Sequence, residues 1–171
     1  MRVRPALAAS SAAVLALLAT SGAPATAAPG PAVCAESALR VTAAASPDVA
    51  DVVRISVTNK GPRPCVVDRI PTVTFGDLDG AALPVPDTAS APYRLGGGRS
   101  AYAAVRTLDP ASTELRLVDG MTVAGHPAHY GRTFDAAALG MPDGIRVREP
   151  VTTWWHSTQD RADAVLAEHT N

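Results

Sequence analysis

Large aromatic rings are scarce in this chain. Its 171 residues include only two Phe, three Tyr and two Trp: Phe75, Tyr93, Tyr102, Tyr130, Phe134, Trp154 and Trp155. That leaves little with which to build an aromatic sugar platform or a groove that stacks successive bases. A surplus of one charge sign is missing too, because 15 Lys and Arg stand against 16 Asp and Glu. Such a balance carries no electrostatic footprint for nucleic acid or an anionic membrane. Neither a G-x-S-x-G elbow nor an H-E-x-x-H pair occurs, so the two commonest linear signatures of hydrolysis are absent. What the chain has in quantity is alanine, 34 residues of it, which inflates an apolar fraction of 47%. The length suits one ordinary core better than several domains.

Residues 1–27 read as a secretory signal peptide. Arg2 and Arg4 form a short positive region, and Ala6 to Thr20 is an uncharged apolar run. Ala25-Thr26-Ala27 then gives the small-x-small pattern that signal peptidase accepts. Fifteen apolar residues are short for a bilayer span of roughly 20, and Pro24 closes the run. Val3 separates the two arginines, which excludes a twin-arginine signal. Export with release is therefore expected, without stable membrane insertion after cleavage. Residues 28–33 (APGPAV) follow as a Pro/Gly leader expected to be disordered.

Cys34 and Cys65 are the only cysteines, and both lie in the exported part. Outside the cell no thiol buffer keeps such a pair reduced, so a disulfide is expected. Zinc is the rival partner for thiolates, but these two lack the C-x-x-C spacing of a metal knuckle.

From Leu39 onward the dominant period is two. Val53, Ile55 and Val57 alternate with Arg54, Ser56 and Thr58, the mark of a strand with one wet face. Asn59-Lys60-Gly61-Pro62 supplies turn chemistry after it. Val73 and Phe75, Leu115 and Leu117, and Ile145 and Val147 repeat the alternation. Ser100 to Leu108 reads as another extended segment. Asp79-Gly80 suits a hairpin turn between Phe75 and Leu83. Short strands with Gly, Pro and Asp between them predict an all-β, antiparallel β-sandwich over residues 34–156. Residues 119–144 are rich in glycine and proline, among them Gly120, Gly125, Pro127, Gly131, Gly140 and Pro142, which predicts a long loop-rich excursion with one helical turn near Phe134 to Leu139. Residues 157–171 read as a short C-terminal helix. Ser157 or Thr158 can cap it, and Ala162, Val165 and Leu166 fall on one face.

The stretch from Cys34 to about Leu108 resembles an actinobacterial family of exported proteins known as domain of unknown function 4232. The resemblance rests on Cys34-Ala35-Glu36-Ser37-Ala38-Leu39, on Ile55-Ser56-Val57-Thr58-Asn59-Lys60-Gly61 and on Arg63-Pro64-Cys65. Ile70-Pro71-Thr72-Val73-Thr74-Phe75, Asp79-Gly80 and Leu95-Gly96-Gly97-Gly98-Arg99-Ser100-Ala101 continue it. Arg69-Ile70 stands where the family has Gly-Tyr, and Gly97 where it has Pro. The resemblance implies an immunoglobulin-like sandwich in the cell envelope or outside it, and it implies no catalytic residues; no cofactor is expected.

Three constellations could carry chemistry. His126-Pro127-Ala128-His129, with His156 or Asp135 as a further ligand, could support a metal-dependent or hydrolytic enzyme if the groups converge; exposed loop histidines are the plainer reading. Asp77-Leu78-Asp79-Gly80, with Asp87 beyond, begins like a calcium loop. Ala81 and Thr88 fall where an EF-hand needs oxygen ligands, so a plain turn is favoured. Ser100 could belong to a triad only if a His and an Asp met it, and a serine opening a strand is simpler. Trp154-Trp155 says more. Neighbours on a strand face opposite ways, and the parity of Val151 and Thr153 sends Trp155 inward, leaving Trp154 and His156 outside. That outer face is a candidate contact surface unless the C-terminal helix covers it. The expected function is a secreted, non-catalytic interaction module whose partner is an envelope or extracellular protein or polymer.

Overall fold

The computed structural model describes residue 30 and residues 32–88 and 91–170; the expected signal segment lies outside them. A larger sheet orders its strands β1 (Leu39–Ala45), β2 (Val52–Asn59), β7 (Ser100–Arg106), β12 (Val151–Thr153) and β5 (Leu83–Val85). β1, β2, β7 and β12 pair antiparallel, whereas β5 joins β12 in parallel. Three smaller sheets complete the fold among the described residues. They pair β10 (Arg132–Asp135) with β9 (Gly120–Ala124) and β4 (Thr72–Phe75), β11 (Ile145–Val147) with β8 (Arg116–Val118), and β3 (Cys65–Val67) with β6 (Tyr93–Leu95).

The core lies between these layers, which makes the fold the expected all-β sandwich. Val53, Ile55 and Val57 are at most 1% exposed, as their alternation requires. They meet Ala103 and Val105 of β7, and Val73, Phe75, Met121 and Val123 of the facing layer. Full burial of each Val or Ile contributes about 1.5–3 kcal/mol, so this seam accounts for much of the stability. Cys34 and Cys65 are disulfide-bonded, joining the approach to β1 with the start of β3.

The opposite face of the large sheet is covered by a helix, α2 (Gln159–Thr170). Thr158 Oγ1 accepts the Arg161 N–H at 3.3 Å, so Thr158 is the cap. Ala162 and Leu166 pack on Val52 and Ala104, flanked by Val85 and Val151. Arg54 on β2 pairs with Asp163 at 2.8 Å and Asp48 at 3.2 Å, fixing the helix over the sheet.

Several sequence expectations need correction. The end of the leader is ordered: Val33 bridges Val66 in parallel, and the Val66 N–H donates to the Ala32 carbonyl at 3.0 Å. Residues 119–144 are less loop-like than their glycine content suggests. β9 and β10 form a hairpin there, followed by the single helical turn α1 (Ala136–Leu139). Gly131 makes the hairpin possible, with φ +80 and a position where a Cβ would lie 2.8 Å from the Val123 carbonyl oxygen. The Asp79-Gly80 turn is no hairpin, because β4 pairs with β9 and β5 with β12, so it carries the chain from one sheet to another. At β8 the leucines face outward: Leu115, just before the strand, is 45% exposed and Leu117, within it, 62%, while Val118 is buried. Pairing Val118 with Ile145 sets that register, and a one-residue choice of register decides every side chain's face.

Candidate functional site

The Trp154-Trp155 pair is oriented by a β-bulge. Val151 and Thr152 lie opposite Arg106 and Val105, whereas His156 lies opposite Tyr102. Three residues, Thr153 to Trp155, therefore face two, Ala103 and Ala104, and one extra residue enters the strand. The Ala104 N–H, displaced from the ladder, donates instead to Thr153 Oγ1 at 3.0 Å. That hydroxyl donates in turn to the Trp154 carbonyl at 3.1 Å. Before the bulge Val151 packs toward α2, and after it Trp155 enters the main core, fully buried. Simple strand parity sends Trp155 inward and puts Val151 on the same face. The bulge reverses the faces between them.

Trp154 and His156 consequently share the outer side, both half-buried. The Trp154 indole N–H donates to the Pro86 carbonyl at 3.0 Å. Arg69, in the β3–β4 connection, accepts the Trp155 N–H through its carbonyl at 3.1 Å. Its guanidinium stands 5.0 Å from the Trp154 ring centre and 5.6 Å from that of Tyr93. Both distances lie within cation–π reach. The apolar face of α2, offered by the sequence as a cover for Trp154, is seated on Val52 and Ala104.

Beside this stack, His156 is tied to β7 by two backbone bonds with Tyr102, at 2.7 and 2.9 Å. Burial, and then the charges of Arg69 and Arg161, hold its imidazole below the usual histidine range. At neutral pH the patch therefore presents a neutral ring next to a delocalised cation. Arg69 Nε and His156 Nε2 are buried without a hydrogen-bond partner among the described residues. Chemically the arrangement offers two aromatic rings, one guanidinium and one imidazole, a set suited to stacking and hydrogen bonding with a partner.

The histidine constellation is only partly assembled. His126 and His129 meet in the β9–β10 loop with ring centres 5.4 Å apart, and His126 Nδ1 accepts the Ala128 N–H. Among the described residues no three His, Cys, Asp or Glu side chains are placed to hold a metal ion. His156 and Asp135 thus do not complete a set with that pair, nor do Asp77, Asp79 and Asp87 form one. Ser100 Oγ is bonded to Thr58 Oγ1 at 2.7 Å across the ladder. Arg69 and Tyr93 carry no sequence signal of this role, since only the fold brings them to Trp154. Tyr130, 95% exposed at the hairpin tip, was legible as an aromatic residue between Gly, Pro and His.

No curated protein and no solved structure matches the chain. A family match covers residues 34–155, reaching well past Leu108 to take in the β9–β10 hairpin and the bulge. From the stapled Cys34 to the core Trp155, this chain belongs to the family described as Domain of unknown function (DUF4232).

Proposed function

We propose that this is a secreted, non-catalytic β-sandwich that acts by surface contact with an envelope or extracellular protein or polymer. The observation that carries the reading is the stack of Arg69 on Trp154 and Tyr93. Trp, Tyr and Arg are the residue types that dominate binding energy at protein interfaces. Here they are already fixed by the Pro86 carbonyl and the bulge, so little rotamer entropy is lost on contact. The signal-like segment 1–27 and the Cys34–Cys65 disulfide support an address outside the cell. A metal-dependent or hydrolytic alternative needs His126, His129 and His156 on one centre, and two of them meet. The proposal includes no cofactor, no nucleic acid and no membrane insertion after cleavage.

The test uses residues 28–171, immobilised and exposed to the culture medium and the envelope fraction of the producing cells. Wild type is expected to retain a component that Trp154→Ala and Arg69→Ala lose while keeping the wild-type circular dichroism. Equal retention by all three proteins, or no retained component, would overturn the reading.

A further inference from the structure

We propose that a second site, distinct from the Trp154 face, binds a phosphate group in the cleft between the start of β1 and the β9–β10 loop. The cleft encloses about 280 Å³. Arg40 from β1, Lys60 from the turn after β2, and Arg132 from β10 all line it. Elsewhere Arg54, Arg106, Arg146 and Arg148 each have a carboxylate within 4 Å and the other arginines among the described residues have none, so what sets Arg40, Lys60 and Arg132 apart is that they share one cleft. These three cations have no such carboxylate among the described residues, although Glu36 lines the same cleft.

Glu36 is occupied otherwise. Its carboxylate accepts the Gly131 N–H at 2.7 Å and the Tyr130 N–H at 3.3 Å, clamping the hairpin loop against the 3-10 turn before β1. Arg132 is held as well: it donates to the Val41 carbonyl at 3.3 Å and lies 5.1 Å over the Phe134 ring. His129 Nδ1 adds a buried ring nitrogen without a partner among the described residues. Counting Glu36 against the three cations leaves two positive charges in excess. A phosphate monoester or free phosphate carries about −1.5 to −2 at pH 7 and presents three or more acceptor oxygens. One carboxylate, with a single charge and two oxygens, would leave the cleft under-neutralised. Arginine forks and a lysine point charge are the usual donors to such an anion.

Two probes distinguish the source of the phosphate: inorganic phosphate, followed by calorimetry in 150 mM salt on the order of physiological strength, and phosphatidic acid vesicles, followed by co-sedimentation. Saturable binding to either probe is expected, weakened about tenfold or more by Arg40→Gln and by Lys60→Gln. Neither side chain makes an intramolecular hydrogen bond among the described residues, and circular dichroism would check that the variants fold. Arg94→Gln, on the exposed part of β6, should bind like wild type. The probe that binds names the source. Absence of saturable binding to both probes, or equal weakening by Arg94→Gln, overturns the proposal. Loss of the Trp154-dependent partner alone would leave these results untouched.

Discussion

Replacing Cys34 and Cys65 together by alanine is expected to lower folding stability by about 3–4 kcal/mol. The two cysteines are 31 positions apart, so the bridge closes a loop containing all of β1 and β2. Loop-closure entropy for that length sets the figure, because the unfolded chain gains the freedom that the bridge withheld. In the native state the ends remain close without it, since the Cys34 N–H donates to the Val66 carbonyl at 2.8 Å. The effect therefore falls mainly on the unfolded ensemble. For a domain of this size the corresponding fall in Tm is on the order of 10 °C. Urea unfolding and thermal melting of the oxidised protein, the reduced protein and the double variant would measure it. The two thiol-altered forms should agree with each other and differ from the oxidised one. A double variant melting within about 1 °C of oxidised wild type would refute the reasoning, since a shift that small is well under 1 kcal/mol.

Further perturbations address the bulge, the helix and the imidazole. Thr153→Val leaves the buried Ala104 N–H without its acceptor and should cost about 1–3 kcal/mol by urea unfolding; the same change at exposed Thr133 should cost much less. Leu166→Ala removes the main apolar contact of α2 with Val52 and Ala104, with an expected loss of about 2–5 kcal/mol and faster amide exchange along the helix. His156 is held below its ordinary range in the folded protein. The unfolded chain therefore takes up that proton first as pH falls, and stability is lost on acidification through and below the ordinary histidine range. His156→Asn should flatten the dependence of melting temperature on pH in that window, and an unchanged profile would contradict the assignment.

How much of this could be read in advance depends on where each signal resides. The alternation of Val53, Ile55 and Val57 is local, and the structure buries all three against the facing sheets. Met121 and Val123 carry the same alternation in β9, but the surrounding glycines obscured it. Gly120 opens the strand and Gly125 follows it, and Gly131 serves the hairpin turn where a left-handed backbone is required. Leu115 and Leu117 mislead for another reason: Leu115 lies just outside β8, and hydrophobic identity does not set the face of Leu117 in a three-residue strand when pairing with Ile145 and Val147 does. The bulge at Thr153 is non-local, because it exists only relative to β7. For that reason Trp155 could be placed inward from the sequence while Val151 was misplaced. Arg69 and Tyr93, roughly 60–85 positions from Trp154 in the chain, offer no sequence signal of their stacking; their spacing becomes meaningful only when β3, β6 and β12 are assembled.

The most direct test of the proposed contact face places a photo-crosslinking residue inside it. Tyr93→p-benzoylphenylalanine puts the reactive ring beside Arg69, and Leu83→p-benzoylphenylalanine puts it on β5, where Leu83 is 67% exposed. Illumination in the culture medium and envelope fraction should yield a covalent adduct from position 93 and none from position 83, with the position 93 adduct lost when Trp154→Ala is added. An adduct of equal yield from both positions, or one at position 93 that persists without Trp154, would contradict the account.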